Sequence, residues 1–187
     1  MQNVKISLVV LSLLLFLNIS CKSHYQYENS KYASGKLSSL EISDLKTFLG
    51  GKSANSVRDT IIINYNYNNA NCWQMLDQQS DEYIQQFVEG SKEYVLKSTE
   101  KRDKISYFRY REPGKKVNKK ILWDDSIAFD ETLYLKNLLF LNKQSCGNSA
   151  IILPNGDYII VKNDSHSEAL TFDKKKISEI LLKLRNG

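Results

Sequence analysis

Apolar residues recur along the chain with two periods, one typical of strands and one typical of helices. Residues 60–65 form a β-branched and aromatic run between polar neighbours, and residues 105–110 form a second such run. Runs of this length and composition predict buried strands. Between them, apolar residues recur at helical spacing from Cys72, and Gly90 closes that pattern. The pattern therefore predicts a strand, a helix and a second strand at the start of a folded core.

The second half of the pattern predicts a further helix and a hairpin. Leucines recur at helical spacing over residues 131–141. Apolar runs at 150–153 and 158–161 flank Asn155 and Gly156. An Asn-Gly pair between such runs predicts a two-residue hairpin turn, because both turn positions need positive φ.

Two more helices are indicated by their caps. Asp173 precedes the last helix, which ends with cations at its C-terminal end. The inward apolar stripe of that helix consists of Ile177, Ile180, Leu181 and Leu184. Nearer the N-terminus, Ser38 and Glu41 have the spacing of a capping box, and Gly50 and Gly51 end a short helix.

The N-terminal residues have the pattern of a secretory signal peptide. Lys5 is followed by an apolar run over residues 6–17, which is interrupted by Ser7 and Ser12. A membrane-spanning helix needs about 20 apolar residues, whereas a run of about 10–14 suits the apolar region of a signal peptide. A buried core helix is the alternative, and the position of the run behind a methionine and a lysine favours the signal peptide.

Residues 17–21, which follow this run, resemble the lipobox of bacterial lipoproteins. Ile19 and Ser20 match the two positions before the modified cysteine, which is Cys21 here. Asn18 departs from the usual apolar residue, and a leucine stands one position earlier instead. The resemblance implies that Cys21 carries lipid and becomes the mature N-terminus.

The lipobox resemblance places the protein in the bacterial cell envelope. It implies that residues 1–20 are removed and that acyl chains on Cys21 hold the protein on a membrane. Residues 22–24 are Lys, Ser and His rather than the acidic residues that often follow the cysteine of surface-exported lipoproteins. We therefore expect a lipid-anchored protein on the periplasm-facing leaflet of the outer membrane.

The chain after the signal peptide divides into a tether and a domain. Residues 22–37 are rich in Ser, Tyr, Lys and Asn and show no apolar period, which is typical of a flexible linker. The short helix that ends at Gly50 and Gly51 comes after this linker and before the domain. We therefore predict a signal peptide over 1–20, a lipid-anchored tether over 21–58 and an α/β domain over 59–187.

The composition is that of an ordinary globular protein. The 187 residues are 42% hydrophobic and 25% charged, with a formal net charge of +5. This composition excludes a disordered chain and a polytopic membrane protein. The positive charge is too small and too dispersed for a dedicated nucleic-acid binder, so we expect no nucleic-acid partner.

The order of elements over 59–187 resembles a thioredoxin-like domain. The resemblance rests on an apolar strand followed by a helix that begins at Cys72 and Trp73, and on a closing hairpin and amphipathic helix. It implies a central mixed sheet flanked by helices. Two features depart from the family. The Cys-x-x-Cys redox centre is incomplete after Cys72, and Gly147 and Asn148 stand where the family has a cis-proline. Standard dithiol oxidoreductase activity is therefore not expected.

Cys72 and Cys146 remain once Cys21 is assigned to lipid. The thioredoxin-like resemblance implies that the start of the first helix lies beside the loop before the hairpin, so these two cysteines would be neighbours. Three interpretations stay open: a structural disulfide, two buried free thiols, and a redox-active Cys72 at a helix N-terminus with Cys146 as the resolving cysteine. The lack of a cation near Cys72 in the sequence and of the Cys-x-x-Cys motif favours the structural disulfide.

Other candidate chemistry is weaker. His24 and His166 are isolated and lack ligand-spaced partners, so no metal is expected, and no cofactor-binding motif is present. Loop solvation and helix capping explain four acidic residues, which could otherwise form carboxylate pairs: Asp124, Asp125, Asp130 and Glu131. A solvated loop explains four lysines, which could otherwise contact phosphate: Lys115, Lys116, Lys119 and Lys120. A solvated tether explains three tyrosines, which could otherwise bind a partner: Tyr25, Tyr27 and Tyr32.

These observations favour a lipid-anchored, non-catalytic envelope domain that presents a binding surface to another envelope protein or to a small ligand. A second hypothesis is an envelope thiol-disulfide protein that uses Cys72 with Cys146. A third is a periplasmic immunity-type lipoprotein that neutralises a toxin. Cys72 is the one candidate for a catalytic role.

Overall fold

Strands and helices alternate along the chain. The structure is a computed structural model that describes residues 31–51, 57–100, 102 and 104–186. Its strands are β1 (Tyr32–Lys36), β2 (Thr60–Asn66), β3 (Ile105–Arg111), β4 (Ala128–Phe129), β5 (Asn148–Ile152) and β6 (Asp157–Val161). Its α-helices are α1 (Ser39–Gly50), α2 (Asp81–Glu100), α3 (Lys119–Leu122), α4 (Tyr134–Leu139) and α5 (Lys174–Asn186). Short 3₁₀ helices cover Gln74–Gln78 and Glu168–Thr171.

Within the described residues, the strands form one sheet in the order β1-β6-β5-β2-β3-β4. Strand β2 runs parallel to β3, and β3 to β4, whereas β2, β5, β6 and β1 are joined by antiparallel pairing. Ile62 at the centre of β2 lies opposite Ile151 of β5 and Tyr107 of β3. The architecture is therefore α/β, with a mixed sheet flanked by helices, as the sequence predicted.

The sheet carries an apolar core on each face, because successive side chains of a strand point to opposite sides. On one face, Ile61 of β2 shares a core cluster with Leu45 of α1 and Leu135 of α4. On the other face, Ile62 shares a cluster with Ile180 of α5. Helices thus cover both faces, and the predicted inward stripe of the last helix is buried.

The segment predicted to be a tether contains folded elements. Strand β1 pairs with β6 along its whole length, from Tyr32 opposite Val161 to Lys36 opposite Asp157. Helix α1 begins at the predicted capping box, and its Leu45 is fully buried. The folded unit therefore includes residues well before 59. Strand β1 was missed because Tyr32, Ala33, Ser34, Gly35 and Lys36 include no run of β-branched residues, and backbone pairing with β6 supplies most of its contacts.

Helix α2 begins later and ends later than predicted. Trp73 adopts a positive φ of 69°, which no helix interior accepts, so the turn at Cys72 leads into the 3₁₀ segment rather than into an α-helix. The Ser80 hydroxyl then accepts a hydrogen bond from the Tyr83 N–H at 3.3 Å, and the α-helix starts at this cap. Gly90 lies inside the helix instead of ending it. No helix of the described ranges, α2 included, is long and apolar enough to cross a membrane.

The predicted hairpin is present, but its turn differs from the prediction. Strands β5 and β6 pair antiparallel, and the Gly156 N–H donates to the Leu153 carbonyl at 2.9 Å. Gly156 has a φ of +86°, whereas Asn155 is not among the positive-φ residues of the described chain. The predicted turn, with Asn155 and Gly156 as its two central residues, is therefore wrong. The β-turn spans Leu153 to Gly156, so glycine stands at its last position instead of a central one. A Cβ on Gly156 would lie 2.3 Å from the Leu37 carbonyl oxygen, so the fold requires glycine here.

Helix α4 is shorter than the predicted range of 131–141. Leu133 adopts a positive φ of 57° and stands just before the helix. The Asp130 carboxylate accepts hydrogen bonds from the N–H groups of Leu135, at 3.3 Å, and Lys136, at 2.9 Å. The helix therefore begins where this carboxylate satisfies its first donors.

Candidate functional site

A cavity of about 540 Å³ lies at the carboxyl ends of the parallel strands β2 and β3. Asn64 of β2 and Arg109 of β3 line it from the sheet, Phe87 lines it from α2, and Lys120 lines it from α3. His166 closes it from the loop after β6. Ligands of open α/β sheets bind at the carboxyl ends of the strands, and volumes of about 300–1,000 Å³ are typical of ligand sites. The position and the size of this cavity both suit a small ligand.

A disulfide between Cys72 and Cys146 joins two loops next to this cavity. The Cα atoms of the two cysteines are 4.8 Å apart, so they are neighbours, as the thioredoxin-like resemblance implied. Both cysteines are half-buried. Cys72 lies in a turn before the 3₁₀ helix rather than at the start of α2, which corrects the predicted helix N-terminus at this residue. The disulfide fixes the backbone immediately before Trp73.

The Trp73 ring contacts three of the residues that line the cavity. The ring centroid lies 5.2 Å from that of Phe87 and 5.1 Å from that of His166, the latter in an edge-on arrangement. The Lys120 Nζ lies 3.9 Å from the centroid of Trp73 and 5.3 Å from that of Phe87. Two aromatic rings therefore hold one ammonium group, which is a cation–π arrangement.

The Lys120 ammonium has no counter-ion of its own. The residue is 6% exposed, and its side chain makes no hydrogen bond or ion pair with any described residue. The pKa of Lys120 is lowered from 10.5 to about 8: burial is the largest cause, the nearby Arg109 also lowers it, and Asp124 acts in the opposite direction. A buried charge is normally paired, since an unpaired one costs several kcal/mol. The solvated-loop explanation is therefore wrong for Lys120.

Arg109 is a second buried cation of the site, and it is paired. One guanidinium Nη donates to the Asp124 carboxylate and, at 3.0 Å, to the Ser126 hydroxyl. Asp124 also lies 4.0 Å from the Lys92 ammonium, and Lys92 is bonded to the exposed Asp125. The Arg109 Nε is buried and has no partner in the described structure. The guanidinium therefore has one buried N–H without a hydrogen-bond partner.

A hydrogen-bond network holds the sheet side of the cavity in place. The Asn64 amide donates to the Ser149 hydroxyl at 3.0 Å and to the Asp164 carbonyl at 3.3 Å. The Asp164 carboxylate accepts from the Ala169 N–H at 3.2 Å and so caps the 3₁₀ helix that follows His166. Strand β2, strand β5 and the loop after β6 are thereby tied together beneath the cavity.

Tyr107 and Ser167 close the network at the edge of the site. Their hydroxyl oxygens are 3.0 Å apart. Burial raises the pKa of Tyr107 to about 12, so its phenol stays protonated at neutral pH. The phenol therefore serves as a neutral hydrogen-bonding group here.

A second, larger cavity of about 720 Å³ lies between the start of β2 and β3 and the β5–β6 turn. Its Arg102 donates to the carbonyls of Leu170 and, at 2.7 Å, of Phe172, so this guanidinium is already satisfied. Lys104 and Lys174, which also line it, are exposed. Water therefore solvates the ammonium groups of this cavity, and the smaller cavity has the more distinctive chemistry.

The remaining candidate residues of the sequence are scattered. Cys21, His24, Tyr25 and Tyr27 lie outside the described residues, and Lys115 and Lys116 are exposed. Asp130 is buried and accepts a hydrogen bond from the Tyr65 hydroxyl at 3.1 Å in addition to capping α4. In the part of the chain that the structure describes, no group of three or more His, Cys, Asp or Glu side chains could hold a metal ion.

Comparisons of the chain with family models, with curated proteins and with solved structures give no match. The side chains of the cavity therefore carry the functional conclusion.

Sequence reasoning missed the two cations that define the site. Arg109 stands inside a run of aromatic and apolar residues in a predicted strand, and a charge in such a run is a signal of a paired buried cation. Lys120 lies in a lysine-rich stretch and follows Asn118, whose side chain accepts from the Ile121 N–H at 3.1 Å and caps α3. An Asn cap next to an apolar residue predicts a helical turn, and that turn directs Lys120 inward.

Proposed function

We propose that this protein is a non-catalytic ligand-binding domain of the bacterial cell envelope, held on a membrane by lipid on Cys21. Its binding site is the cavity at the carboxyl ends of β2 and β3. The observation that carries the proposal is Lys120, a buried cation without a counter-ion that lines a cavity of ligand size. Such an arrangement costs folding free energy, and a bound ligand can offset that cost.

We further propose that the fold is thioredoxin-like. The strand order β6-β5-β2-β3, with β2 and β3 parallel and β5 and β6 antiparallel, supports this proposal. So does the position of the disulfide beside the carboxyl end of β2. Strands β1 and β4 extend the sheet at its two edges beyond this unit. No peptide bond within the described ranges is cis, which departs from the family.

The absence of catalytic groupings at the cavity favours binding over chemistry. The residues that line it include no Asp, Glu or Cys among those that the structure describes. General acid–base catalysis would need a titratable group in contact with substrate, and Lys120 and His166 are the candidates that the cavity offers. Neither side chain is hydrogen-bonded to a second described residue that would orient it as an acid or a base.

An envelope thiol-disulfide protein is the second candidate function, and the Cys72–Cys146 disulfide favours it. Both cysteines are partly accessible, so a reductant could reach them. However, Cys72 lies outside a helix N-terminus, which is the feature that most often lowers the pKa of a redox-active thiol. The structural disulfide is therefore preferred.

The lipid anchor is tested by mass analysis of the protein from its native membranes. Lys5, the apolar run over 6–17 and the lipobox-like residues 17–21 support the anchor. We expect a mature chain that begins at Cys21, carries acyl chains and partitions into detergent, and we expect Cys21→Ser to remain unprocessed. An unmodified N-terminus at any other residue would contradict the anchor.

The binding site is tested by filling the cavity. Gly90 lines it from the middle of α2, and a Cβ at this position meets open space. Gly90→Phe should therefore block the cavity without a clash, and Gly90→Ala is the matched control. We expect the full chain and Gly90→Ala to retain a small molecule from an envelope extract in native mass spectrometry, and Gly90→Phe to lose it. Equal retention by Gly90→Phe, or no retention by the parent chain, would contradict the site.

A further inference from the structure

The charges around the cavity are balanced at every cation except Lys120. Arg109 is paired with Asp124, and Lys92 is paired with Asp125. Lys120 has the rings of Trp73 and Phe87 but no carboxylate of its own. Among the described residues that line the cavity, none is acidic. The cavity therefore carries a net positive charge that the protein itself does not neutralise.

We propose that the cavity takes a small organic anion, whose carboxylate or phosphate oxygens pair with the Lys120 ammonium. This inference rests on the proposed function, since it names the ligand class of the same cavity. An anionic oxygen group is the shared chemistry of the two ligand types, because an ammonium recognises either as a point charge.

Further hydrogen-bond donors lie around the same cavity. The His166 imidazole and the Ser165 hydroxyl line the space beside Lys120. An anionic group has several lone pairs to satisfy, more than the three N–H groups of one ammonium can fill alone. The donors beside Lys120 can satisfy the remaining lone pairs of an oxyanion that pairs with its ammonium.

The apolar residues that line the cavity indicate what the ligand contains besides its charged group. Phe87 and Tyr94 present aromatic faces along α2, and Ile121 adds an aliphatic surface from α3. A cavity of about 540 Å³ has room for an apolar or aromatic group next to the anionic one. The preferred ligand is consequently an organic acid rather than an inorganic ion.

The test compares an anion with its neutral isostere on the full chain in detergent. The probes are 4-fluorobenzoate and 4-fluorobenzamide, followed by ¹⁹F NMR, with phenyl phosphate, followed by ³¹P NMR, as a second anionic probe. The variants are Lys120→Met, which keeps the length of the side chain without its charge, and Lys115→Met, which removes an exposed lysine from the same segment. The anion-against-amide comparison on the parent chain needs no variant, so the proposal stays testable even if Lys120→Met fails to fold.

We expect the parent chain and Lys115→Met to bind an anionic probe about 10- to 100-fold more tightly than the amide, and Lys120→Met to lose that preference. Tighter binding of 4-fluorobenzoate or of phenyl phosphate identifies the carboxylate or the phosphate as the favoured group, and either result supports the proposal. Equal binding of the anion and the amide would overturn the proposal that the ligand is an anion, but the cavity would remain a binding site. If none of the probes binds, both the proposal of an anionic ligand and the proposed binding function are contradicted.

Discussion

Lys120 is buried at a cost to folding that its own contacts only partly offset. Cation–π contacts to Trp73 and Phe87 are worth roughly 0.5–2 kcal/mol, and desolvation of an ammonium costs more. The lowered pKa of Lys120, about 8, expresses the same imbalance. We propose that the charge of such a residue, which costs stability where a methionine would not, serves binding.

The pH dependence of stability follows from this lowered pKa. Its ordinary value is 10.5, so between pH 8 and 10.5 the unfolded chain holds a proton that the folded chain has released. The resulting stabilisation is complete above pH 10.5 and is lost as the pH falls through about 8. Over that window the free energy of unfolding should rise by about 3 kcal/mol relative to Lys120→Met.

Urea unfolding of the parent chain and of Lys120→Met at pH 7, 8, 9 and 10.5 measures this difference. The groups that surround Lys120, namely Arg109, Asp124, Lys92 and His166, are present in both chains, so the comparison reports the effect of replacing Lys120. At pH 7 the Lys120→Met chain should be the more stable by about 1–3 kcal/mol. A difference that is independent of pH would show that Lys120 is not desolvated.

The proximity of the two cysteines could be predicted from the sequence, whereas the surroundings of the buried cations could not. The neighbourhood of Cys72 and Cys146 was implied by element order, because strand and helix positions bring those loops together. The charge environment of Lys120 depends on Trp73 and Phe87, which are distant in sequence. No local pattern carries a contact of that kind, so Lys120 was assigned to solvent.

At the scale of elements, the turn between β5 and β6 depends on one glycine. Gly156 has a φ of +86°, and a Cβ there would lie 2.3 Å from the Leu37 carbonyl oxygen and 3.1 Å from the Ile42 side chain. Gly156→Ala should therefore lower the free energy of unfolding by about 1–3 kcal/mol. Gly90→Ala, in the open interior of α2, should raise it by about 0.5–1 kcal/mol. Thermal unfolding of both variants checks the pair, and a Gly156→Ala chain as stable as the parent chain would refute the turn geometry.

Helix α5 is the element whose packing was predicted best. Ile180 is buried against the sheet, whereas Leu182, two residues on, is 58% exposed. Ile180→Asp should bury an unpaired charge and reduce the free energy of unfolding by more than about 4 kcal/mol. Leu182→Asp introduces the same charge on the outer face and should change it by less than about 0.5 kcal/mol. Circular dichroism during urea unfolding distinguishes them, and a stable Ile180→Asp chain would remove α5 from the core.

The elements that the sequence predicted are those whose own residues determine them. The apolar runs of β2 and β3, the capping box of α1 and the apolar stripe of α5 are local signals, and all four are confirmed. The start of α2 is set by the Ser80 cap that follows the positive φ of Trp73, and β1 depends on pairing with β6. Apolar spacing reports neither a helix cap nor strand pairing, so the periodicity of the chain does not contain them.

At the scale of the whole molecule, the disulfide connects parts of the chain that are 74 residues apart. In the chain-entropy account a link of this length stabilises the fold by about 4.5 kcal/mol as an upper figure, and removal of native disulfides costs about 2–5 kcal/mol. Cys72→Ser combined with Cys146→Ser should therefore lose about 2–5 kcal/mol of unfolding free energy. The double variant also avoids a lone thiol, which either single variant would leave.

Redox titration separates a structural disulfide from a redox pair. A structural disulfide should resist reduction at potentials above about −300 mV, while a redox pair should titrate near the potentials of envelope oxidoreductases, about −120 to −180 mV. Alkylation of the native protein followed by mass spectrometry reads the result. Two fully labelled cysteines in the unreduced protein would contradict the disulfide itself.

The whole account depends on what the cavity beside Lys120 holds in the natural protein. The most direct measurement is an experimental structure of the full chain, isolated from its native membranes with no ligand added. The account predicts an organic anion in the cavity, with an oxygen within hydrogen-bond distance of the Lys120 Nζ and an apolar part against Phe87. A cavity that contains water alone, or a ligand bound elsewhere on the protein, would contradict it.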